Sequence, residues 1–401
     1  MKKQLVYCEP HCHDVEHAQY NAALLLMGTL AFPADRVIFI GEEEHCHWVR
    51  MSLAAANSTV AERVDWRFIQ LVRNETPYFR GTKKRISLYR LPLSVADHMP
   101  SRAVVYCSTA IKGLMILKVL MHLRDPRCPV LALFHNQLPR LLPYSHSLFS
   151  PNQLRVMFSI PSPSSLKFVA LGKPIYDYLI HLDRKLDRQF VYFDLPRIKE
   201  TARSDASPRN EIAFGFFGVT LNKGFERFLS FSRVLKKEFP DVRFALIGYV
   251  NHPLESQENV AQIENLSTRP MSPEQYASVA NGVCYAVGLA NSDDYRLRAS
   301  AAFLDALAFG KPGIYLRNPY IEHYFERFGD IGYLCNSTDE VEATAREICR
   351  SFPRERYHVQ MTNCVRAANT LTPEMIATDF RTIVSNLTRP HNAEVESQRQ
   401  S

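Results

Sequence analysis

The stretch Gly288–Tyr315, GLANSDDYRLRASAAFLDALAFGKPGIY, predicts how the second half of the chain folds. It begins with a loop of hydrogen-bonding side chains and continues into small residues that can start a helix. Gly310 and Pro312 then end the helix before a short apolar strand, Gly313–Leu316. A loop, helix, turn and strand in this order form one edge of a βαβ unit. The stretch therefore predicts an α/β fold with parallel strands.

The start of this helix suits a phosphate group. Ser300, Ala301 and Ala302 leave backbone N–H groups that can face an anion, and the helix dipole adds partial positive charge there. Asp305 follows about one turn later, within reach of the ribose of a nucleotide bound at those amides. Small residues also permit close packing, so an ordinary buried helix is the alternative interpretation.

Two segments carry a family resemblance. The run LDALAFGKP (Leu304–Pro312) resembles the donor-site helix of GT-B nucleotide-sugar glycosyltransferases of the group-1 type. The segment Glu211–Gly248 resembles the opening strand, glycine loop, helix and second strand of the same donor domain. The resemblance implies two Rossmann-like α/β domains facing a cleft, with a C-terminal helix that crosses back to the first domain. It also implies that Asp305 binds the ribose.

The resemblance extends to a lysine of the donor domain. Gly218 ends a strand where the backbone can approach a ligand, and Lys223 stands where the family places a cation for the leaving diphosphate. A surface lysine in the first turn of a helix is the alternative for Lys223. Val219 occupies the position of the family's arginine, and Leu297 that of its second acid. These departures leave inverting and retaining transfer both open.

Aromatic and cationic residues precede the donor-site helix. Tyr295 and Arg298 are therefore further donor-binding candidates, although an arginine there can equally be exposed to solvent. Asp293 and Asp294 are adjacent and do not form the Asp-x-Asp pattern of a metal site. We expect no metal ion and no cofactor apart from the nucleoside-diphosphate sugar, which is a co-substrate.

Composition and length fit a protein of two domains. The chain has 401 residues, 46% hydrophobic and 22% charged, and no apolar run that would span a bilayer. It has nine scattered cysteines without a Cys-x-x-Cys pair, which favours reduced thiols and, with the absence of a secretory signal, a cytoplasmic location. The net charge of +7 favours an anionic partner, but basic and aromatic residues do not alternate, so no nucleic acid is expected.

The chain divides at a segment that loses its apolar periodicity, PRIKETARSDASPRN. The predicted organisation is an acceptor-binding domain 1–195, a linker 196–210, a donor-binding domain 211–372, a crossing helix 373–390 and a disordered tail 391–401. Apolar runs predict the first-domain strands Leu5–Cys8, Val37–Ile40, Phe68–Val72, Ala103–Cys107, Val130–Phe134 and Lys167–Ala170. Helices are predicted at Gln19–Leu30, Lys112–Leu123 and Pro373–Leu387.

The candidate catalytic base lies in the first domain. His135 and Asn136 follow the strand Val130–Phe134, and polar residues at the carboxyl end of a parallel strand face the ligand crevice of α/β folds. An imidazole suits removal of the acceptor hydroxyl proton, so His135 is the first candidate, and Asn136 is assigned to acceptor binding. A histidine that only caps the loop is the alternative.

The loop after the first strand, EPHCHDVEHAQYN, is a second source of polar side chains. We assign His13 and Asp14 to acceptor binding and keep Glu16 and His17 as alternative bases. Glu16 could also only favour the start of the next helix. With Cys12 and the later His-Cys-His run the loop contains zinc-ligand residue types, but no spacing matches a closed zinc site.

The segment Thr76–Pro92 carries five basic residues among aromatic and aliphatic ones. It predicts either a solvated loop or contact with an anionic membrane surface. The family resemblance, taken with these features, implies a hexosyltransferase that moves sugar from a nucleoside-diphosphate sugar to a glycan or lipid-linked glycan, in polysaccharide or glycoconjugate biosynthesis. It would be peripheral on the inner face of the plasma membrane. The alternatives are a nucleotide-sugar epimerase of the same fold and a non-catalytic scaffold that binds a nucleotide or a protein.

Overall fold

The computed structural model describes residues 2–71, 78–124, 128–142, 150–199, 211–220, 223–252, 260–290 and 295–388. The chain forms two compact units, one of Met1–Ile198 with Pro373–Ser401 and the other of Lys199–Thr372. Most of the predicted linker and the whole of the predicted tail 391–401 lie outside the described residues.

The first unit contains a seven-stranded parallel sheet. Its strands are β1 (Gln4–Cys8), β2 (Arg36–Gly41), β3 (Val64–Phe68), β4 (Ser101–Tyr106), β5 (Val130–Phe134), β6 (Leu166–Leu171) and β7 (Phe190–Phe193). Its helices are α1 (Ala18–Ala31), α2 (Glu43–Ala56), α3 (Ser58–Arg63), α4 (Tyr78–His98), α5 (Ile111–Arg124), α6 (Ser150–Ser159), α7 (Lys173–Leu182) and the C-terminal Pro373–Thr388. Two short 3₁₀ turns, Leu138–Leu141 and Arg184–Arg188, complete it.

The strand order β3-β2-β1-β4-β5-β6-β7 reverses direction between β1 and β4. This is the switch point at which open α/β sheets bind ligands, outside the carboxyl ends of the strands. Five of the predicted strands coincide with β1, β2, β4, β5 and β6, because continuous apolar runs are typical of strands buried on both faces.

The C-terminal helix packs on α1 inside the first unit, which confirms the predicted crossing helix. Arg381 donates hydrogen bonds to the carbonyl oxygens of Leu30 and Ala31, at 3.2 and 2.7 Å, and so satisfies acceptors at the end of α1. Phe380 contacts Phe32 and Phe193 edge-on. Contact with this helix and with α2 explains why α1 is buried on nearly all sides and not along one stripe.

Two predictions for the first unit are wrong. The third strand is β3, which ends at Phe68, and does not run over Phe68–Val72; Val72 lies outside the described residues. β3 is an edge strand in which only Val64 is buried, and Phe68 at its end is 60% exposed. The apolar residues that follow Phe68 therefore do not mark a buried strand. The segment predicted as a solvated loop is the helix α4 from Tyr78 onward, because buried Leu88, Tyr89 and Leu93 form a stripe that packs on β1 and β4.

The second unit contains a six-stranded parallel sheet. Its strands are β8 (Ala213–Val219), β9 (Arg243–Tyr249), β10 (Ile263–Glu264), β11 (Tyr285–Gly288), β12 (Gly313–Leu316) and β13 (Gly332–Cys335). Its helices are α8 (Phe225–Glu238), α9 (Pro273–Asn281), α10 (Ala301–Ala308), α11 (Pro319–Phe328), α12 (Thr338–Arg350) and α13 (Arg354–Thr370); the C-terminal helix of the first unit is α14.

The order β10-β9-β8-β11-β12-β13 is the Rossmann order, with its switch point between β8 and β11. Phe214, Phe228, Phe231 and Phe244 form an aromatic cluster between this sheet and α8. Both units are therefore α/β with parallel sheets, which confirms the predicted fold class.

Candidate functional site

A narrow crevice opens at the carboxyl ends of β8 and β11, at the switch point of the second unit. Its wall contains four of the eight residues that the sequence assigned to the donor, Lys223, Tyr295, Ser300 and Ala302. The lining includes Phe216, Phe217, Lys223, Gly288, Ala290, Tyr295, Ser300, Ala302, Phe303, Tyr315 and Asn318. This is the place where a Rossmann-like unit binds a nucleotide.

Helix α10 begins at the crevice. The Ser300 side chain caps it by accepting a hydrogen bond from the Phe303 amide at 3.2 Å. The amides of Ala301 and Ala302 are the first two of the helix and have no acceptor within it, as in any α-helix. The helix therefore presents these amides and the positive end of its dipole to the crevice.

The ammonium group of Lys223 meets the start of α10 beside Gly218. A Cβ atom built on Gly218 would lie 3.5 Å from Lys223 Nζ and 3.4 Å from Ala302 Cβ, so the three groups converge on one point. Gly218 has a φ of +97°, which a side chain would strain. Its carbonyl is also approached closely by Gly248, where a Cβ would lie 2.0 Å from Gly218 O. Glycine is needed at both positions to keep this end of β8 open.

Charges of both signs surround Lys223. Burial lowers the pKa of Lys223, the Asp305 carboxylate opposes that shift and the Arg298 guanidinium adds to it. Arg298 Nε is buried and has no hydrogen-bond partner among the described residues. The crevice thus places the Lys223 ammonium next to helix amides, with the Arg298 guanidinium close enough to act on its charge, an arrangement suited to a diphosphate.

Asp305 is held by a residue that the sequence did not indicate. The Tyr276 hydroxyl donates a hydrogen bond to Asp305 Oδ2 at 2.9 Å, and Asp305 is only 8% exposed. Tyr276 lies in α9 and packs against Phe217 and Phe309. The bond joins residues 29 positions apart, so no local pattern could have shown it.

The other residues near the donor-site helix differ in where they lie. Tyr295 lies in the wall of the crevice and is 5% exposed, and Leu297, where the family has its second acid, is buried. Asp293 and Asp294 lie outside the described residues.

At the switch point of the first unit, the buried carboxylate of Glu9 organises the loop after β1. Glu9 Oε1 accepts hydrogen bonds from the amides of His11 and Cys12, at 3.0 and 3.2 Å, and from the Ser108 hydroxyl. Glu9 Oε2 accepts one from Asn21 Nδ2 at 3.3 Å. No role was predicted for Glu9 from the sequence. Its position directly after a central strand could have indicated a functional residue.

The Glu9 carboxylate is stabilised in its charged form. Burial favours protonation, but the Ser108 hydroxyl and the neighbouring His45, His11 and His17 outweigh burial and hold the pKa of Glu9 below its usual value. A charged Glu9 can therefore fix the loop at neutral pH.

His45, also missed as a functional residue, supports the same loop. Its Nδ1 lies 2.9 Å from the carbonyl oxygen of Asp14, which can only accept, so this nitrogen donates. Its Nε2 then accepts from Asn21 Nδ2 at 2.9 Å. Within the described ranges no group of three or more His, Cys, Asp or Glu side chains is placed to hold a metal ion.

His135 has a defined tautomer. Its Nε2 lies 2.7 Å from the carbonyl oxygen of Cys107 and must donate, which leaves the lone pair of the neutral ring on Nδ1. Burial lowers the pKa of His135, while the Cys107 carbonyl and Glu9 oppose that shift. The His135 ring can therefore remain a neutral base at pH values below the ordinary pKa of imidazole.

The alternative base His17 lies against His135. The two rings are 4.6 Å apart, and Tyr20 packs edge-on against His135 at 4.7 Å. His17 adopts a left-handed φ of 56° at the start of α1. Burial and the charge of Glu9 raise the pKa of the other alternative, Glu16.

The three acceptor candidates are all exposed to solvent. Asp14 and Asn136 are exposed, and the backbone of Asp14 has a left-handed φ of 45°. His13 lines a cavity that also contacts His11 of the Glu9 loop.

No family model and no curated protein matches the sequence. Solved structures do match the fold. A glycosyltransferase from Rickettsia africae superposes with a TM-score of 0.64 and 12% identity over 97% of this chain and 99% of its own. HepE from Anabaena, solved in complex with UDP-glucose, superposes with a TM-score of 0.65 and 12% identity, over 96% of this chain and 99% of its own.

Sucrose-phosphate synthase from Thermosynechococcus elongatus is similar over the same extent. Its TM-score is 0.66 at 11% identity, and the alignment covers 96% of this chain and 99% of that protein. Identities this low establish architecture and not activity. The likeness spans both units, which together have the GT-B fold of nucleotide-sugar glycosyltransferases.

Proposed function

We propose that the protein is a glycosyltransferase that moves a sugar from a nucleoside-diphosphate sugar to a hydroxyl group of a glycan or lipid-linked glycan. The observation that carries the proposal is the convergence of Lys223, Gly218 and the α10 amides beside Asp305. HepE, which has this fold, was solved with UDP-glucose, so a UDP-hexose is the first donor to test. A role in polysaccharide or glycoconjugate biosynthesis follows from that class of reaction.

The donor-side chemistry follows from charge. Cleavage of the sugar–phosphate bond places negative charge on the departing diphosphate. The Lys223 ammonium, the Arg298 guanidinium and the amides of Ala301 and Ala302 stabilise that charge as it develops. Asp305, oriented by Tyr276, accepts hydrogen bonds from the ribose hydroxyls.

On the acceptor side, we assign the base to His135. Its Nδ1 takes the proton of the acceptor hydroxyl as the new glycosidic bond forms. His13, Asp14 and Asn136 contribute hydrogen bonds to the acceptor. Glu9 is a positioning residue that holds the loop of His13 and Asp14.

Asp305→Ala is expected to weaken binding of UDP by about ten- to hundred-fold, since a hydrogen bond to a charged group contributes roughly 1.5–3 kcal/mol. The affinity is measured by isothermal titration calorimetry on folded protein. Asp241→Ala is the matched control, because Asp241 is an exposed aspartate of the same unit outside the crevice. Equal affinity of both variants and the wild type for UDP would remove Asp305 from the site.

Transfer is expected to persist in excess EDTA, because Lys223, Arg298 and the helix amides supply the positive charge for the diphosphate. The measurement is release of UDP from the donor in the presence of acceptor, before and after chelation. Complete loss of transfer that Mn²⁺ or Mg²⁺ restores would show that a metal ion supplies this charge instead.

We further propose that the protein acts at the cytoplasmic face of a membrane as a peripheral enzyme. No helix among the described residues is long and apolar enough to cross a membrane. The first unit exposes apolar side chains on α5, on α6 and directly after α6, namely Met115, Val119, Leu123, Val156 and Ile160. Lys83 and Lys84 are exposed on α4, which packs against α5. A surface with exposed apolar and cationic side chains suits an anionic lipid surface.

The protein is expected to sediment with anionic liposomes at low salt and to be released at high salt. Each Lys near an anionic leaflet contributes about 1 kcal/mol, so replacing Lys83 and Lys84 with Ser should weaken binding about thirty-fold. Lys236 and Lys237 in the second unit, replaced together, serve as the control. Protein that stays in the supernatant at low salt would argue for a soluble acceptor.

A further inference from the structure

The first unit contains a cavity of about 320 Å³ at the start of α5, separate from the His135 ring. Apolar groups of Pro10, Leu71, Leu88 and Ile111 form part of its wall. The volume falls within the range of small-molecule pockets and has room for a group of monosaccharide size.

The polar wall of this cavity is cationic. It consists of Arg85 from α4, Lys112 from α5, Arg140 from a 3₁₀ turn, and His11, His13 and Tyr89. Among the described residues no Asp or Glu side chain lines it. Three cationic side chains in the wall of one small cavity favour a negatively charged ligand.

The residue before α5 provides no side-chain cap for the helix. Ala110 precedes α5 and has no side-chain oxygen for the first amides, and the first turn contains no acidic residue. Ala110, Ile111, Lys112 and Gly113 all line the cavity, so the first turn of α5 faces the same space as the cations. Helix amides and a helix dipole add to the attraction for an anion.

Tyr89 and Gly113 give the cavity its shape. A Cβ atom on Gly113 would lie 2.0 Å from the Tyr89 hydroxyl, so glycine is required for the tyrosine to lie against the first turn of α5. The same hydroxyl is 2.8 Å from His11 Nε2, and Glu9 holds the amide of His11. The buried Glu9 network thus fixes one wall of the cavity.

The nearby acid, Glu9, is not part of the cavity wall. Glu9 is fully buried, and its oxygens accept hydrogen bonds from two amides, Ser108 and Asn21. Burial lowers the pKa of His11, Glu9 opposes that shift, and the charges of Arg85 and His13 add to it.

We propose that this cavity binds an anionic group, a phosphate or a carboxylate, carried by the acceptor. The proposal rests on the proposed function, since it names the chemical class of the acceptor. Arginine forks bind both groups through paired hydrogen bonds, with Arg85 as the half-buried partner and Arg140 as the exposed one. The acceptor is accordingly a phosphorylated sugar, a sugar linked through phosphate to a lipid, or a uronate.

The test is calorimetry of the full chain with glucose 6-phosphate, glucuronate and glucose, in the presence of saturating UDP. Either anion is expected to bind at least ten-fold more tightly than glucose. A preference for glucose 6-phosphate points to a phosphate on the acceptor, and a preference for glucuronate to a carboxylate. Glucose that binds as tightly as both anions would overturn the proposal.

Variants locate the binding. Arg85→Gln and Arg140→Gln are each expected to weaken the preferred anion at least ten-fold, whereas Arg90→Gln, an exposed arginine of the same helix outside the cavity, leaves its affinity unchanged. If Arg85→Gln lowers the unfolding temperature, Arg140→Gln decides the outcome. Equal weakening by Arg90→Gln would contradict the assignment.

Failure of this inference is distinguishable from failure of the proposed function. Wild-type protein that binds UDP but neither anion contradicts the cavity assignment alone. Protein that binds an anion in an Arg85-dependent manner but no UDP contradicts the donor assignment alone. Lys223→Met, which alters only the crevice of the second unit, is expected to leave the anion affinity unchanged.

Discussion

Lys223→Met is expected to lower kcat for sugar transfer by about 10²–10³-fold, the usual effect of removing one group that stabilises developing negative charge. The ammonium lies beside Gly218 and the start of α10, where the diphosphate accumulates charge as the sugar leaves. Methionine has a similar length and removes only the charge and its hydrogen bonds. Because the charge develops in the transition state, KM for the donor should rise much less than kcat falls.

The control for this prediction is Lys237→Met, an exposed lysine on α8 of the same unit. It should retain wild-type kcat and the same unfolding temperature. A Lys223→Met protein that is folded, binds UDP and transfers sugar at the wild-type rate would show that Lys223 is only a surface lysine.

His135→Gln is expected to lower kcat/KM by about 10²–10⁴-fold, the range for loss of a general base. Glutamine retains a donor for the Cys107 carbonyl and cannot take a proton. Burial lowers the pKa of His135, so the neutral, active form of wild-type His135 persists below pH 6.5, the ordinary value for histidine. As the pH falls further the ring is protonated, and activity should then decline.

The measurement is a profile of kcat/KM against pH for the wild type and for His135→Gln. His181→Gln, an exposed histidine on α7, is the control and should leave the profile unchanged. If His135→Gln retains activity while His17→Gln or Glu16→Gln abolishes it, the base is one of those alternatives. Of these two alternatives, His17 is the one whose ring contacts His135.

The interior of the fold was predictable because central parallel strands are continuous apolar runs. β5 and β12 have the predicted bounds, Val130–Phe134 and Gly313–Leu316. The edge strand β3 was misplaced because its sequence, VDWRF, alternates polar and apolar residues while a more apolar run follows it. In α4, basic residues concealed a helical stripe that only packing on β1 and β4 defines.

Residues of the candidate site could be predicted where they lie next to a strand end or a helix start in the sequence. Lys223, Ser300 and Asp305 each lie near a strand end or helix start that the sequence shows. Tyr276 and His45 act through contacts to residues 29 and 24–31 positions away, respectively. Single-sequence reasoning has no access to such pairs, because side chains distant in sequence meet only after the sheet has formed.

The most direct test of the central claim is a crystal structure of the protein with UDP. The diphosphate should lie within about 3 Å of the Ala301 and Ala302 amides and of Lys223 Nζ, with the ribose hydroxyls on Asp305. UDP bound at another place, or bound here with its ribose away from Asp305, would contradict the account.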